Sequence, residues 1–93
     1  MTLTRPVVEV PLTVEVAATL RGLRLLDAEC ERLVYRIRVR EGQPVLFATE
    51  DELEELGGYV AAEANHEPNR RRQRALDGAL DVLSDVGVDA AGW

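Results

Sequence analysis

At 93 residues the chain has room for one domain with one core, which buries roughly 60–65% of the surface an extended chain exposes. The hydrophobic share of 46% is ordinary, but only 4% is aromatic, so the core must be built from Leu, Val and Ala. A formal charge of −6 argues against nonspecific affinity for nucleic acid or anionic lipid, no run reaches the ~18 apolar residues of a membrane span, and one cysteine, Cys30, excludes an internal disulfide.

Every cationic side chain is Arg, with no Lys, and Ile37 is the sole isoleucine, a bias expected of a GC-rich coding sequence. Arginine clusters are therefore discounted as evidence of function. The first residues lack the basic-then-apolar layout of a signal peptide, which leads to the expectation of a cytoplasmic protein.

Residues 7–12 are β-branched and partly alternating, and read as a strand whose Pro11 places it at a sheet edge or at the strand end. From Leu12 the apolar positions Val16, Leu20, Leu23, Leu26, Cys30, Leu33 and Ile37 recur at steps of three and four, the spacing of one helical face. That pattern predicts helix after Thr13, against a competing reading in which the strand continues through Val14 and Val16. A break is expected near Leu26 and Asp27, with Asp27 capping a second helix from Ala28 to about Arg38 that ends at Glu41 and Gly42.

Residues 44–48 form a short apolar run that reads as a buried second strand. Thr49-Glu50-Asp51-Glu52 matches a capping box, and five carboxylates between Glu50 and Glu55 suit the positive end of a helix dipole. Leu53, Leu56, Val60 and Ala64 form the buried stripe of this third helix, which Pro68 ends. A fourth helix, from about Asn69 to Val86, buries Leu76, Ala79, Leu80, Leu83 and Val86, with Gly87 as its stop.

The expected fold is therefore α+β, a small single domain in β-α-α-β-α-α order, with two short strands and a C-terminal antiparallel helical hairpin. Residues 1–6 read as an arm, 7–88 as the domain and 89–93 as a tail. Setting Thr13 against Thr49 also aligns Leu20 with Leu56, Gly22 with Gly58 and Leu23 with Tyr59, a faint internal repeat.

In such a hairpin Arg70, Arg71, Arg72 and Arg74 lie near the turn beside Glu63 and Glu67, while Glu50, Asp51, Glu54 and Glu55 lie at the far end, on the order of 20 Å away. Beyond a Debye length of ~8 Å the blocks do not neutralise one another, and both are expected to lack an in-chain counter-ion. Arginines in the first turn also oppose the helix dipole. These eight residues are the candidate partner-binding set, and the partner is expected to be a second copy of the chain, as a homodimer, or another protein. Gly57, Gly58 and Gly78, at nearly one level, read as a close crossing of the two helices, or as a groove for a partner.

Three further constellations carry possible chemistry. Glu63 and His66 are three apart on one helical turn, a spacing found in metal-binding bundles, but there is no second histidine. Arg70 to Arg74 resembles a phosphate-gripping tract, with few aromatics to stack on bases. Cys30 on an apolar stripe and the lone Ser84 in mid-helix lack an activating motif. The expectation is a non-enzymatic interaction or regulatory module without cofactors. The alternatives are a nucleic-acid-associated factor using Arg70 to Arg74 and a metal-binding protein using Glu63 and His66.

Overall fold

The alternating residues that open the chain become strand β1 (Val8–Pro11), followed by helices α1 (Val14–Arg21) and α2 (Ala28–Tyr35), strands β2 (Arg38–Arg40) and β3 (Gln43–Ala48), and helices α3 (Glu50–Asn65) and α4 (Arg70–Ala91). The structure is a computed structural model that describes residues 6–91, with side chains as far as Ser84. Most of the arm expected at 1–6 and the end of the tail expected at 89–93 lie outside the described residues.

The fold is α+β with a C-terminal helical pair. The three strands form one antiparallel sheet in the order β1-β3-β2. Val8 pairs with Ala48 and Val10 with Leu46, and these four turn one sheet face toward the helices. Glu9 pairs with Phe47 on the opposite face, where the Arg40 guanidinium lies 5.1 Å from the Phe47 ring centre and 2.7 Å from Glu9 Oε1. Pro11 closes an edge strand, so its missing N–H breaks no ladder bond.

Each helix start is set by a side chain that accepts from an otherwise unpaired backbone N–H. Thr13 caps α1 through Val16 N, and Asp27 caps α2 through Cys30 N. At α3 the capping box is complete: Thr49 Oγ1 accepts from Glu52 N at 3.2 Å and Glu52 Oε1 accepts from Thr49 N at 2.8 Å. Residues 14–21 are thus helical, as the three-and-four spacing predicts. The core joins Val10 and Leu46 of the sheet to Leu20, Leu33, Leu56, Val60, Leu76 and Ala79 of the helices, with almost no aromatic contribution.

Four sequence expectations need correction. The second helix ends at Tyr35, and residues 38–40 form a third strand. Glu41 (φ 52°) and Gly42 (φ 83°) are not a helix stop; they are the two-residue turn joining β2 to β3. Two positive φ angles match the right-handed twist of the flanking strands. At the other end, α4 continues through Gly87 to Ala91, because one glycine weakens a helix by about 1 kcal/mol without terminating it.

The fourth correction concerns the hairpin glycines. A Cβ on Gly57 would meet Leu80 Cδ1 at 3.6 Å, an ordinary contact, while at Gly58 and Gly78 it would meet nothing within 4 Å. The hairpin is therefore held by Leu56, Val60, Leu76 and Ala79 rather than by close backbone approach at glycine. Among the described residues no helix is long and apolar enough to cross a membrane.

Candidate functional site

The turn between α3 and α4 is built by Pro68 and Asn69. Pro68 cannot continue α3, and Asn69 Oδ1 accepts from Arg72 N at 3.1 Å to start α4, while Glu67 Oε2 accepts from Asn69 N at 3.1 Å. Four arginines then open α4, and their environments differ.

Arg72 is one turn before Leu76, on the stripe that faces the core. Its Nε lies 2.7 Å from Glu67 Oε1, and its Nη2 lies 3.5 Å from Glu63 Oε2 and donates to Gly22 O at 3.2 Å. Glu63 is only 8% exposed, and its Oε1 accepts from Arg24 N at 2.7 Å. One guanidinium and one carboxylate thus stitch the α1–α2 loop, the end of α3 and the start of α4 together. The expectation that all four arginines lack a counter-ion is corrected for Arg72, whose partners are Glu63 and Glu67.

Arg70, Arg71 and Arg74 are exposed and make no ion pair among the described residues. With Glu15 and Ala75 they line a shallow depression between α1 and α4. A second depression, lined by Arg24, Glu67, Asn69, Arg71, Arg72 and Ala75, adjoins it through Arg71 and Ala75. The result is a continuous basic strip on a protein of net charge −6.

The acidic opening of α3 is also heterogeneous. Glu52 is used by the capping box, and Asp51 is engaged by an interaction of its own. Glu50 and Glu54 are exposed, without an ion pair among the described residues. Glu55 turns toward the start of α2, where ligand atoms of Asp27, Cys30 and Glu55 lie within 4.8 Å of one another.

Sequence reasoning missed this corner, because it needs α2 packed against α3. The only local signs were Cys30 at the third position after its cap, Asp27, and Glu55 one turn before Tyr59. Desolvation and the charges of Asp27 and Glu29 raise the Glu55 carboxyl. The backbone N–H of Cys30 holds Asp27 below the ordinary carboxylate range, and desolvation followed by a bond to Asp27 raises Tyr59. Burial, and then the negative charge of Asp27, push the Cys30 thiol to about 12. A thiol this hard to ionise is a poor nucleophile, in keeping with the buried structural role expected for Cys30.

Glu63 and His66 share a small cleft with Arg24, Leu25, Glu67 and Arg72. His66 is the C-cap of α3, its N–H donating to Glu63 O at 3.2 Å. The carboxylate of Glu63 is directed at Arg24 N–H and at the Arg72 guanidinium, a positive charge that opposes a cation beside it. Among the described residues no third His, Cys, Asp or Glu donor converges with this pair. Ser84 is exposed on α4.

Comparison with protein-family models, with curated proteins and with solved structures finds no match.

Proposed function

We propose that the protein is a non-enzymatic interaction module that docks through the opening turns of α4 on a carboxylate-bearing protein surface. The observation that carries this reading is the division among the α4 arginines. Arg72 takes Glu63 and Glu67, which leaves Arg70, Arg71 and Arg74 exposed, adjacent and without an ion pair among the described residues, Glu15 being the one carboxylate that lines their depression. Each also opposes the dipole of the helix it begins, typically by a few tenths of a kcal/mol. A local rule broken without compensation inside the chain is accounted for by a compensating surface outside it. In this reading the protein works in the cytoplasm, where its single thiol stays reduced.

The test is fluorescence anisotropy with a labelled poly-glutamate peptide. The unmodified protein should bind it with an affinity that falls steeply with salt, and the triple variant Arg70→Gln, Arg71→Gln, Arg74→Gln should not bind. Equal binding by both proteins, no binding by either, or tighter binding of a labelled DNA duplex than of the peptide would overturn the reading.

A further inference from the structure

The basic and acidic openings share one outward face of the hairpin. On α3, Asp51, Glu54, Gly58, Ala62 and Asn65 recur at steps of three and four, opposite the buried Leu53, Leu56 and Val60. On α4, Arg70, Arg74, Asp77 and Asp81 recur in the same way opposite Leu76, Ala79 and Leu83, and all four are exposed. Because the helices are antiparallel, the half of this face near the turn carries Arg70 and Arg74, the far half carries Glu54 and Asp81, and Asp77 stands at the level of Gly58. Gly58 lies between the halves, with nothing within 4 Å of the position a Cβ would take. The chain's own packing gives no reason for glycine there.

From this layout, and resting on the interaction-module reading above, we infer that the partner is a second copy of the chain, docked face to face and antiparallel across the outward side of the α3–α4 hairpin. A two-fold axis at the level of Gly58 lays the basic half of each copy on the acidic half of the other, so the contact is self-complementary and closes as a dimer. Arg70 and Arg74 of one copy meet Glu54 and Asp81 of the other, and the missing side chain at Gly58 lets the helices approach. The size of the face sets the strength. The 16 residues of α3 span about 24 Å and two helices span about 20 Å, or about 500 Å² per copy. That total lies near the low end for specific interfaces, so the dimer is reversible and salt-sensitive.

Charge reversal tests the geometry by sedimentation velocity, with circular dichroism as a check on folding. The unmodified protein should be dimeric at about 0.05 M salt and dissociate at about 0.5 M. Variant one, Arg70→Glu with Arg74→Glu, and variant two, Glu54→Arg with Asp81→Arg, should each be monomeric alone, and an equimolar mixture should recover the dimer. Gly58→Leu, which meets open space in the monomer, should stay folded and weaken association at least tenfold. A monomer at every salt and concentration, a dimer formed by either reversal variant alone, or a Gly58→Leu dimer of undiminished affinity would overturn the inference. If the protein is monomeric but still binds poly-glutamate through Arg70, Arg71 and Arg74, the interaction-module reading stands with a different partner. Loss of both ends both.

Discussion

Replacing Arg72 by Gln isolates the one α4 arginine that the fold itself uses. The ion pair with Glu67, at 31% and 18% exposure, contributes about 0.5–1 kcal/mol, and the bond to Gly22 O about 1 kcal/mol at most. Arg24 N–H is already the only hydrogen-bond donor to the Glu63 carboxylate, 8% exposed, among the described residues, so removing Arg72 takes away the positive charge 3.5 Å from its unbonded Oε2. Breaking a fully buried pair costs about 3–5 kcal/mol, which falls to about 1–2 here because Arg72 is a third open to water and the Arg24 bond survives. The sum is about 3 kcal/mol, a large part of the ~5–14 kcal/mol expected for a domain of this length. In urea, with a slope of about 1–1.5 kcal/mol/M, the unfolding midpoint should drop by about 2 M. Arg71→Gln should move it by the equivalent of less than about 0.5 kcal/mol. Adding Glu63→Gln to the Arg72→Gln variant should restore part of the loss, since a neutral amide is less costly to bury than an orphaned carboxylate. Equal midpoints for Arg72→Gln and Arg71→Gln, or a double variant weaker than Arg72→Gln alone, would refute the clamp.

Other substitutions report on separate parts of the structure. Gly58→Ala and Gly78→Ala should each raise stability by up to about 1 kcal/mol in thermal or urea unfolding, and a loss at either would mean the helices do cross closely there. Gly42→Ala, at φ 83°, should instead destabilise by about 1 kcal/mol, and a neutral result would argue against the β2–β3 turn. Glu55, raised above its ordinary 4.5, favours the folded state while protonated, so its contribution is full below that pH and is lost as pH rises through the folded-state value. Glu55→Gln should therefore stabilise the protein at neutral pH and match the parent in acid; the reverse order would refute the Asp27–Glu55 corner. Asp27, lowered from 3.8, contributes in the opposite sense, adding stability that is lost only as pH falls below its ordinary value. Cys30, buried and raised to about 12, should resist alkylation by iodoacetamide at pH values where a free thiol reacts, until the protein is unfolded.

The local half of this architecture is legible in the residues. Thr13, Asp27 and Thr49 each precede an apolar helical repeat and each caps a helix, because capping depends only on neighbours three positions away. Glu41 and Gly42 misled because glycine after a basic helical segment and glycine in a two-residue hairpin look alike locally; the alternation of Arg38, Val39 and Arg40 was the distinguishing sign. Gly57, Gly58 and Gly78 suggested a close crossing from their common level alone, whereas contact depends on which way each position faces. The turn places the arginines beside Glu63 and Glu67, and that Arg72 is the one to pair with them was within reach, since Arg72 precedes Leu76 by one turn and Glu63 lies on the stripe of Val60. The Asp27, Cys30 and Glu55 corner was not, because nothing local reports that α2 packs beside α3.

The most direct measurement of the docking surface is a dilution series followed by backbone amide chemical shifts at low salt. Concentration-dependent shifts are expected at Glu54, Gly58, Arg70, Arg74 and Asp81 and should vanish on adding salt. Shifts confined instead to the exposed sheet edge at Arg38 and Val39, or no shifts at any concentration, would contradict a docking surface on the outward face of the hairpin.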